Sequence, residues 1–202
     1  TGGTAYHRGC SIVTDAGSDR PRPAHLTMSH SGHAVSGPRP GFSAREFRDA
    51  MSEFATGVTI VATRGSATRY VGFTANSFSS VSLHPPLVAW SLARNSNTLP
   101  AFESAERYAI SVLAAHQAEL ALRFSRPHAD RFDGVPYTLG WADAPLVTGA
   151  VAWFECQHQS KLVAGDHVLF VGEVIHCQHH RGAALLFHEG RFSATGRPRD
   201  AE

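Results

Sequence analysis

Residues 72–98 read G-F-T-A-N-S-F-S-S-V-S-L-H-P-P-L-V-A-W-S-L-A-R-N-S-N-T, from Gly72 to Thr98. Hydroxyl and amide side chains crowd the first half: Thr74, Asn76, Ser77, Ser79, Ser80 and Ser82. The Pro85-Pro86 pair then breaks the chain, because proline has no ladder donor. An apolar strand-like run follows at Leu87–Leu92, and then a second polar turn, Arg94-Asn95-Ser96-Asn97-Thr98. Two clusters of hydrogen-bonding groups thus flank one buried strand, so a single ligand can touch both ends. A guanidinium fork beside the Ser96 and Thr98 hydroxyls suits phosphate oxygens. The 74–82 segment offers donors and acceptors suited to the edge of a planar heterocycle.

Upstream of this stretch, Ser43-x-x-Glu46 is a capping-box pattern, followed by Phe47, Met51 and Phe54 on one helical face. Gly57 is placed to end that helix. Val58–Thr63 reads as a buried strand, Arg64–Arg69 as a hairpin turn carrying Gly65 and Ser66, and Tyr70–Thr74 as the returning strand. Downstream, Ser96 or Asn97 caps a short helix through Pro100 to about Ala105. Strands are expected at Tyr108–Leu113, Ala150–His158, His167–Cys177 and Ala184–His188, a helix at His116–Phe124, and a long loop over 125–148. Many strands, few helices and no βαβ rhythm point to an antiparallel barrel.

Composition bounds the rest. A chain of 202 residues with a net charge of +1 is one domain with a sizeable core, without the electrostatic footprint of a nucleic-acid or anionic-membrane binder. No apolar run reaches the roughly 20 residues of a membrane span, and the first residues lack a signal-peptide layout. The three cysteines, Cys10, Cys156 and Cys177, show no C-x-x-C spacing, which favours a reducing, cytoplasmic setting. Residues 1–41 are rich in Gly, Ser, Pro and His without hydrophobic period and read as a disordered arm. Within it Met28 reads as a natural start, with 1–27 as upstream sequence. The folded domain is expected over 42–197 and a flexible tail over 198–202.

Three separated blocks carry a resemblance: G-F-T-A-N-S-F-S-S-V-S-L-x-P-P-L-V at 72–88, A-R-N-S-N-T at 93–98, and G-D-H-V-L-F-V-G-E-V at 165–174. In this order they resemble the flavin reductase-like family, the FMN-binding split barrels that reduce flavin with NAD(P)H. The resemblance runs from about Phe42 to Thr195. It implies a mainly β fold: an FMN-binding split β-barrel of six or seven antiparallel, Greek-key-like strands with a few short α-helices. It also implies an activity, hydride transfer from NADH or NADPH to FMN or FAD, with reduced flavin passed to a partner flavin-dependent monooxygenase. Homodimers are common in the family.

By the same resemblance Thr74, Ala75, Asn76 and Ser77 approach the flavin ring and ribityl chain, with Ser79, Val81 and Ser82 nearby. Arg94, Asn95, Ser96 and Thr98 hold its phosphate, aided by backbone N–H groups at a helix start. Gly165, Asp166 and His167 face the nicotinamide. Arg191 falls where the family shows a Gly-Arg-Tyr-like run, and Phe192 replaces the aromatic hydroxyl, keeping a stacking surface without its hydrogen bond. His84 stands where the family more often carries an acidic residue. Hydride transfer requires reacting carbons and nitrogens held about 3–3.5 Å apart, so positioning dominates. These are accordingly binding groups; His167 is the sole candidate for a more direct catalytic part. The alternatives are a flavin-binding electron-transfer protein without NAD(P)H oxidase activity and a related split-barrel oxidase.

Two rival constellations carry less. His176-Cys177-x-His179-His180 resembles a metal ligand run, but adjacent strand residues point to opposite faces, so no metal is expected. His116, His128, Asp130 and Asp133 lie in polar sequence without a nucleophile motif.

Overall fold

The computed structural model describes residues 41–65, 69–127 and 130–196. The expected arm (apart from Gly41), the tail at 198–202, Ser66 of the hairpin turn and His128 lie outside the described residues.

Helix α1 (Ala44–Ser52) starts at the capping box: the Glu46 N–H donates to Ser43 Oγ at 3.2 Å, and the Ser43 N–H donates to Glu46 Oε2 at 2.7 Å. It stops before Gly57. The Ser52 hydroxyl donates to the Asp49 carbonyl at 2.7 Å, a local bond that competes with helix continuation. Gly57 instead joins strand β1 (Thr56–Gly57), opposite Leu186. No residue of α1 is buried, and Phe47, Met51 and Phe54 are 54%, 53% and 69% exposed. The apolar stripe read from the sequence is present but is not buried against the core of the described residues.

Seven strands form the main sheet. They are β2 (Thr59–Arg64), β3 (Tyr70–Ala75), β4 (Ser79–Leu83), β5 (Pro86–Ala93), β6 (Arg107–Val112), β9 (Ala152–Ala164) and β10 (His167–His179). Their order is β3-β2-β6-β9-β10-β5-β4, and every pairing is antiparallel. Strands β5 and β6 are sequence neighbours, yet β9 and β10 lie between them. That is the crossover a Greek-key reading requires. Strand β4 is absent from the sequence reading, because its Ser79-Ser80-Val81-Ser82-Leu83 run lies at the sheet edge and lacks an apolar core face. The 125–148 loop likewise contains a hairpin, β7 (Tyr137–Leu139) with β8 (Pro145–Val147). It is anchored where the Val147 N–H donates to Ser111 Oγ at 3.1 Å. A third sheet joins β1 to β11 (Leu185–His188) and β12 (Arg191–Ala194).

The strand expected at His167–Cys177 is present as β10, and its residues alternate in burial. Val168, Phe170 and Gly172 are buried, while His167 is exposed and Leu169, Val171 and Glu173 lie between the two extremes. Phe170 pairs directly with Trp90 of β5, and the two rings stack at 4.3 Å with planes 6° apart. Phe102 from the short helix α2 (Leu99–Ser104) meets the Trp90 ring edge-on at 5.1 Å, so α2 plugs one mouth of the barrel. Such aromatic contacts add about 0.5–1.5 kcal/mol each beyond area burial. Strand β2 is buried on both faces, which explains its continuous run. Val61 enters the barrel interior, while Ile60 and Ala62 meet Phe124 of helix α3 (Ala118–Ser125) in a second cluster.

Cys156 lies in the barrel core beside Gly172 and Tyr108. Burial, with the neighbouring Glu155 charge, pushes its thiol up to about 12. Only the thiolate reacts. A thiol reagent added to native protein is therefore expected to modify exposed Cys177 and spare Cys156 until unfolding, as read by peptide mass mapping. Labelling of Cys156 at the rate of Cys177 in native protein would contradict this packing.

Candidate functional site

Strand β5 aligns the two polar blocks along its length. At one level the Ser91 N–H donates to Ser77 Oγ at 2.9 Å, and that hydroxyl donates to the Ser91 carbonyl at 3.3 Å. Ser77 thereby ties the segment after β3 to β5 and closes the barrel where β3 and β4 part. Its hydroxyl is engaged within the protein. So is that of Thr74, which donates to the Ala121 carbonyl of α3 at 2.6 Å. Ala75 is buried in the barrel core. Asn76, Ser79, Ser80 and Val81 are exposed beside this point, and Ser82 Oγ accepts from the His84 N–H at 3.2 Å.

Two residues beyond Ser91, β5 ends at Ala93, and Ala93 pairs with His167, the first residue of β10. The second and third blocks are thus joined. The Arg94 N–H donates to the Asp166 carbonyl at 2.9 Å, and Arg94 Nη1 donates to the Gly165 carbonyl at 3.4 Å. The turn between β9 and β10 has two residues, Gly165-Asp166, with a positive φ (62°) only at the glycine. That is the II′ pattern, which needs glycine first. Asp166 Oδ1 lies 2.8 Å from His167 Nδ1, and this bond holds the Asp166 carboxyl below the usual carboxylate range.

The loop between β5 and α2 is more self-contained than its sequence suggests. Ser96 Oγ and Thr98 Oγ1 bond each other at 2.8 Å, and the Thr98 N–H donates to Ser96 Oγ at 3.3 Å. The N–H groups of Ser96, Leu99 and Ala101 donate to carbonyls of Ala93, Ser96 and Thr98. The helix-start donors expected for a phosphate are therefore engaged in the loop's own turns. Exposed Arg94 and Asn95 remain open to an outside ligand, with Ser96 partly so.

Arg191 and Phe192 are not gathered here. They stand on β12 in the three-stranded sheet, where Phe192 packs edge-on against Phe187 at 5.6 Å. Among the described residues no hydrogen bond or ring contact joins them to Gly165–His167. His176 lies against Trp141 and His180 against Trp153. Among the described residues no group of three His, Cys, Asp or Glu converges as a metal site would. No described helix is long and apolar enough to cross a membrane.

Sequence reading missed Ser91 and the charged residues Arg64, Arg107 and Asp143. The Arg64–Asp143 ion pair joins residues 79 apart in the chain, and no local pattern announces it.

The family model for a flavin reductase like domain matches residues 51–196. The chain belongs to this family. Among its relatives is an FMN reductase (NADH) of Agrobacterium fabrum, 42% identical over 157 residues, covering 78% of this chain and 89% of the relative. The reductase component of a flavin-dependent trigonelline monooxygenase of Acinetobacter baylyi is 38% identical, covering 73% of this chain and 48% of its own length. A probable flavin reductase of Rhizobium meliloti is also longer, and this chain spans 43% of it. Among solved structures, an NADH:FAD oxidoreductase of Streptomyces globisporus, in complex with NAD and FAD fragments, superposes with a TM-score of 0.73. It shares 38% identity and covers 78% of this chain and 94% of its own. The flavin reductase-like split barrel expected from the three blocks is thus the fold of this chain.

Proposed function

We propose that this flavin reductase-like domain, over about 42–197, is an NADH:flavin oxidoreductase that supplies reduced flavin to a separate monooxygenase. The observation that carries the reading is the junction of Arg94 with Asp166 at 2.9 Å, which fixes the phosphate-type loop against the nicotinamide-type turn. Exposed Asn76 and Ser79 at one level of β5 suit a heterocycle edge, and Arg94 with Asn95 suits the phosphate. Bound there, the flavin supplies a ring that accepts a hydride from the reduced nicotinamide. The protein's own contribution is positional. The Asp166 carboxylate, 2.8 Å from His167 Nδ1, orients the imidazole ring for a hydrogen bond to the carboxamide of the nicotinamide. Ser77 and Thr74 contribute by fixing the backbone under the ring. Arg191 and Phe192 remain nicotinamide contacts only if supplied across a subunit boundary. No basic pair at the turn marks a 2′-phosphate site, which supports NADH over NADPH. Free Cys156 and Cys177 suit a cytoplasmic setting.

The test is anaerobic stopped-flow reduction of FMN and FAD by NADH. Rapid loss of oxidised-flavin absorbance is expected, with His167→Ala raising the NADH concentration needed by about tenfold, the loss of roughly one good hydrogen bond. Asn76→Ala is expected to weaken flavin instead. Flavin binding without reduction by either NADH or NADPH would favour the electron-carrier reading.

A homodimer accounts for the exposed apolar faces. Phe42, Phe47, Met51 and Phe54 of the α1 region, and Val81 and Leu83 on the β4 edge, are each more than half exposed. Patches of this kind mark interaction sites, and pairing would cover the open edge. Light scattering of the full chain is expected to give a dimer, and Phe47→Glu with Met51→Glu a monomer. A monomeric parent protein would refute the assignment.

A further inference from the structure

The barrel mouth that carries the Arg94–Thr98 loop also carries a second feature that the flavin and nicotinamide contacts leave unused. Antiparallel pairing brings the ends of β2 and β5 and the starts of β3, β6 and β10 to this mouth. Between α2 and the β2–β3 end lies an open cleft of about 820 Å³. That is within the roughly 300–1,000 Å³ of small-molecule sites. Its lining includes Asn97, Pro100, Ala101 and Ser104 from the α2 side and Arg64, Glu106, Arg107 and Asp143.

Asn97 connects the cleft to the phosphate loop, because it sits in the chain between Ser96 and Thr98. Strand β5 therefore orders three positions. The heterocycle end lies beside Ser91, the phosphate end at Arg94–Thr98, and the cleft continues past the phosphate. FMN ends at its phosphate. FAD continues through a second phosphate into adenosine, and such a group has this cleft next in line.

The wall chemistry suits a nucleoside more than a free polyanion. Arg64 is neutralised by Asp143. Arg107 lies 4.3 Å from the Trp141 ring centre and donates to the Trp141 carbonyl at 3.4 Å. Four charges of both signs give no strong field. Among the described residues the side chains of Asn97 and Glu106 make no hydrogen bond, which leaves an amide and a carboxylate for a ribose diol or an adenine edge. Pro100 and Ala101 supply an apolar surface for a ring.

We propose that this cleft binds the adenosine end of a dinucleotide, that of FAD, and so sets the protein's preference for FAD over FMN. The proposal rests on the flavin reductase reading. The test is calorimetric titration of FMN and FAD into wild-type protein, Ser104→Trp, which fills the cleft, and Glu106→Ala, which removes only one wall group. NADH KM is measured alongside with FMN as acceptor. FAD affinity is expected to fall about tenfold in Ser104→Trp, and FMN affinity less than about twofold, tenfold being about 1.4 kcal/mol. Glu106→Ala should weaken FAD in the same direction and guards against a misfolded Trp variant. Equal effects on FMN and FAD, or none on FAD, would overturn the proposal. So would a raised NADH KM with FAD binding intact, which would give the cleft to the nicotinamide dinucleotide. Wild-type protein that binds neither flavin would remove the flavin reading itself.

Discussion

Replacing Gly172 by alanine is expected to lower the melting temperature by about 6–12 °C, the loss of roughly 3 kcal/mol in a domain of this size. Gly172 sits at a bulge between β9 and β10, facing the barrel core. A Cβ there would lie 2.7 Å from Tyr108 Cζ and 3.2 Å from Cys156 Cβ, and would collide outright with the Tyr108 hydroxyl. That hydroxyl is buried among Trp90, Cys156 and Phe170, and burial raises its pKa well above the ordinary tyrosine value. The tyrosine cannot step aside, because its ring meets Trp90 edge-on at 5.3 Å and Trp90 is clamped by Phe170 and Phe102. Tyr108→Phe in the Gly172→Ala background should recover part of the loss, since it removes the colliding oxygen but leaves the ring carbon close. Thermal melts of the four proteins in the cycle decide the matter. An unchanged melting temperature in Gly172→Ala would show that the core rearranges freely around β10.

Arg94→Ala is expected to weaken FMN about tenfold to a hundredfold while leaving riboflavin affinity almost unchanged, given about 1.5–3 kcal/mol for hydrogen bonds to a charged group. Riboflavin lacks only the phosphate, so the pair of ligands isolates the guanidinium's contribution. Arg94→Lys should restore charge without the planar fork and recover only part of the affinity. Because Arg94 is exposed, raising salt should weaken FMN binding in the wild type more than in Arg94→Ala. The backbone bond from residue 94 to Asp166 survives either substitution, so NADH KM should change far less than FMN affinity. Fluorescence titration measures the flavin affinities, and initial rates of NADH oxidation give the KM. Parallel losses for FMN and riboflavin would mean that Arg94 acts on the fold of the loop and not on phosphate.

Features governed by neighbours in the chain were legible from the residues alone. The Ser43–Glu46 capping box starts α1, and the strand expected at His167–Cys177 is present as β10. Each rests on interactions within a few residues or on the two-residue strand period, so sequence suffices. The order of the three blocks carried the family as well.

Which groups are free to act was settled only by the tertiary structure. Ser77 and Thr74 read as ligand contacts, yet their hydroxyls are bound to backbone 14 and 47 residues away. The helix-start donors near Thr98 turn inward, and α1 forms as read but, among the described residues, is tied to the rest of the chain at Ser52, whose carbonyl accepts from the Glu189 N–H, and buries none of its residues. The 820 Å³ cleft is built from the ends of β2, the start of β6, α2 and the Ala142–Asp143 turn. The sequence by itself determined the local elements and the chemical types at the site, because periodicity, capping and turn geometry act over short spans. Which hydroxyls are engaged, and what lines the cleft beside the Arg94–Thr98 loop, follow only from the folded chain, because each depends on partners that the crossover of β5 onto β10 and closure of the barrel bring together.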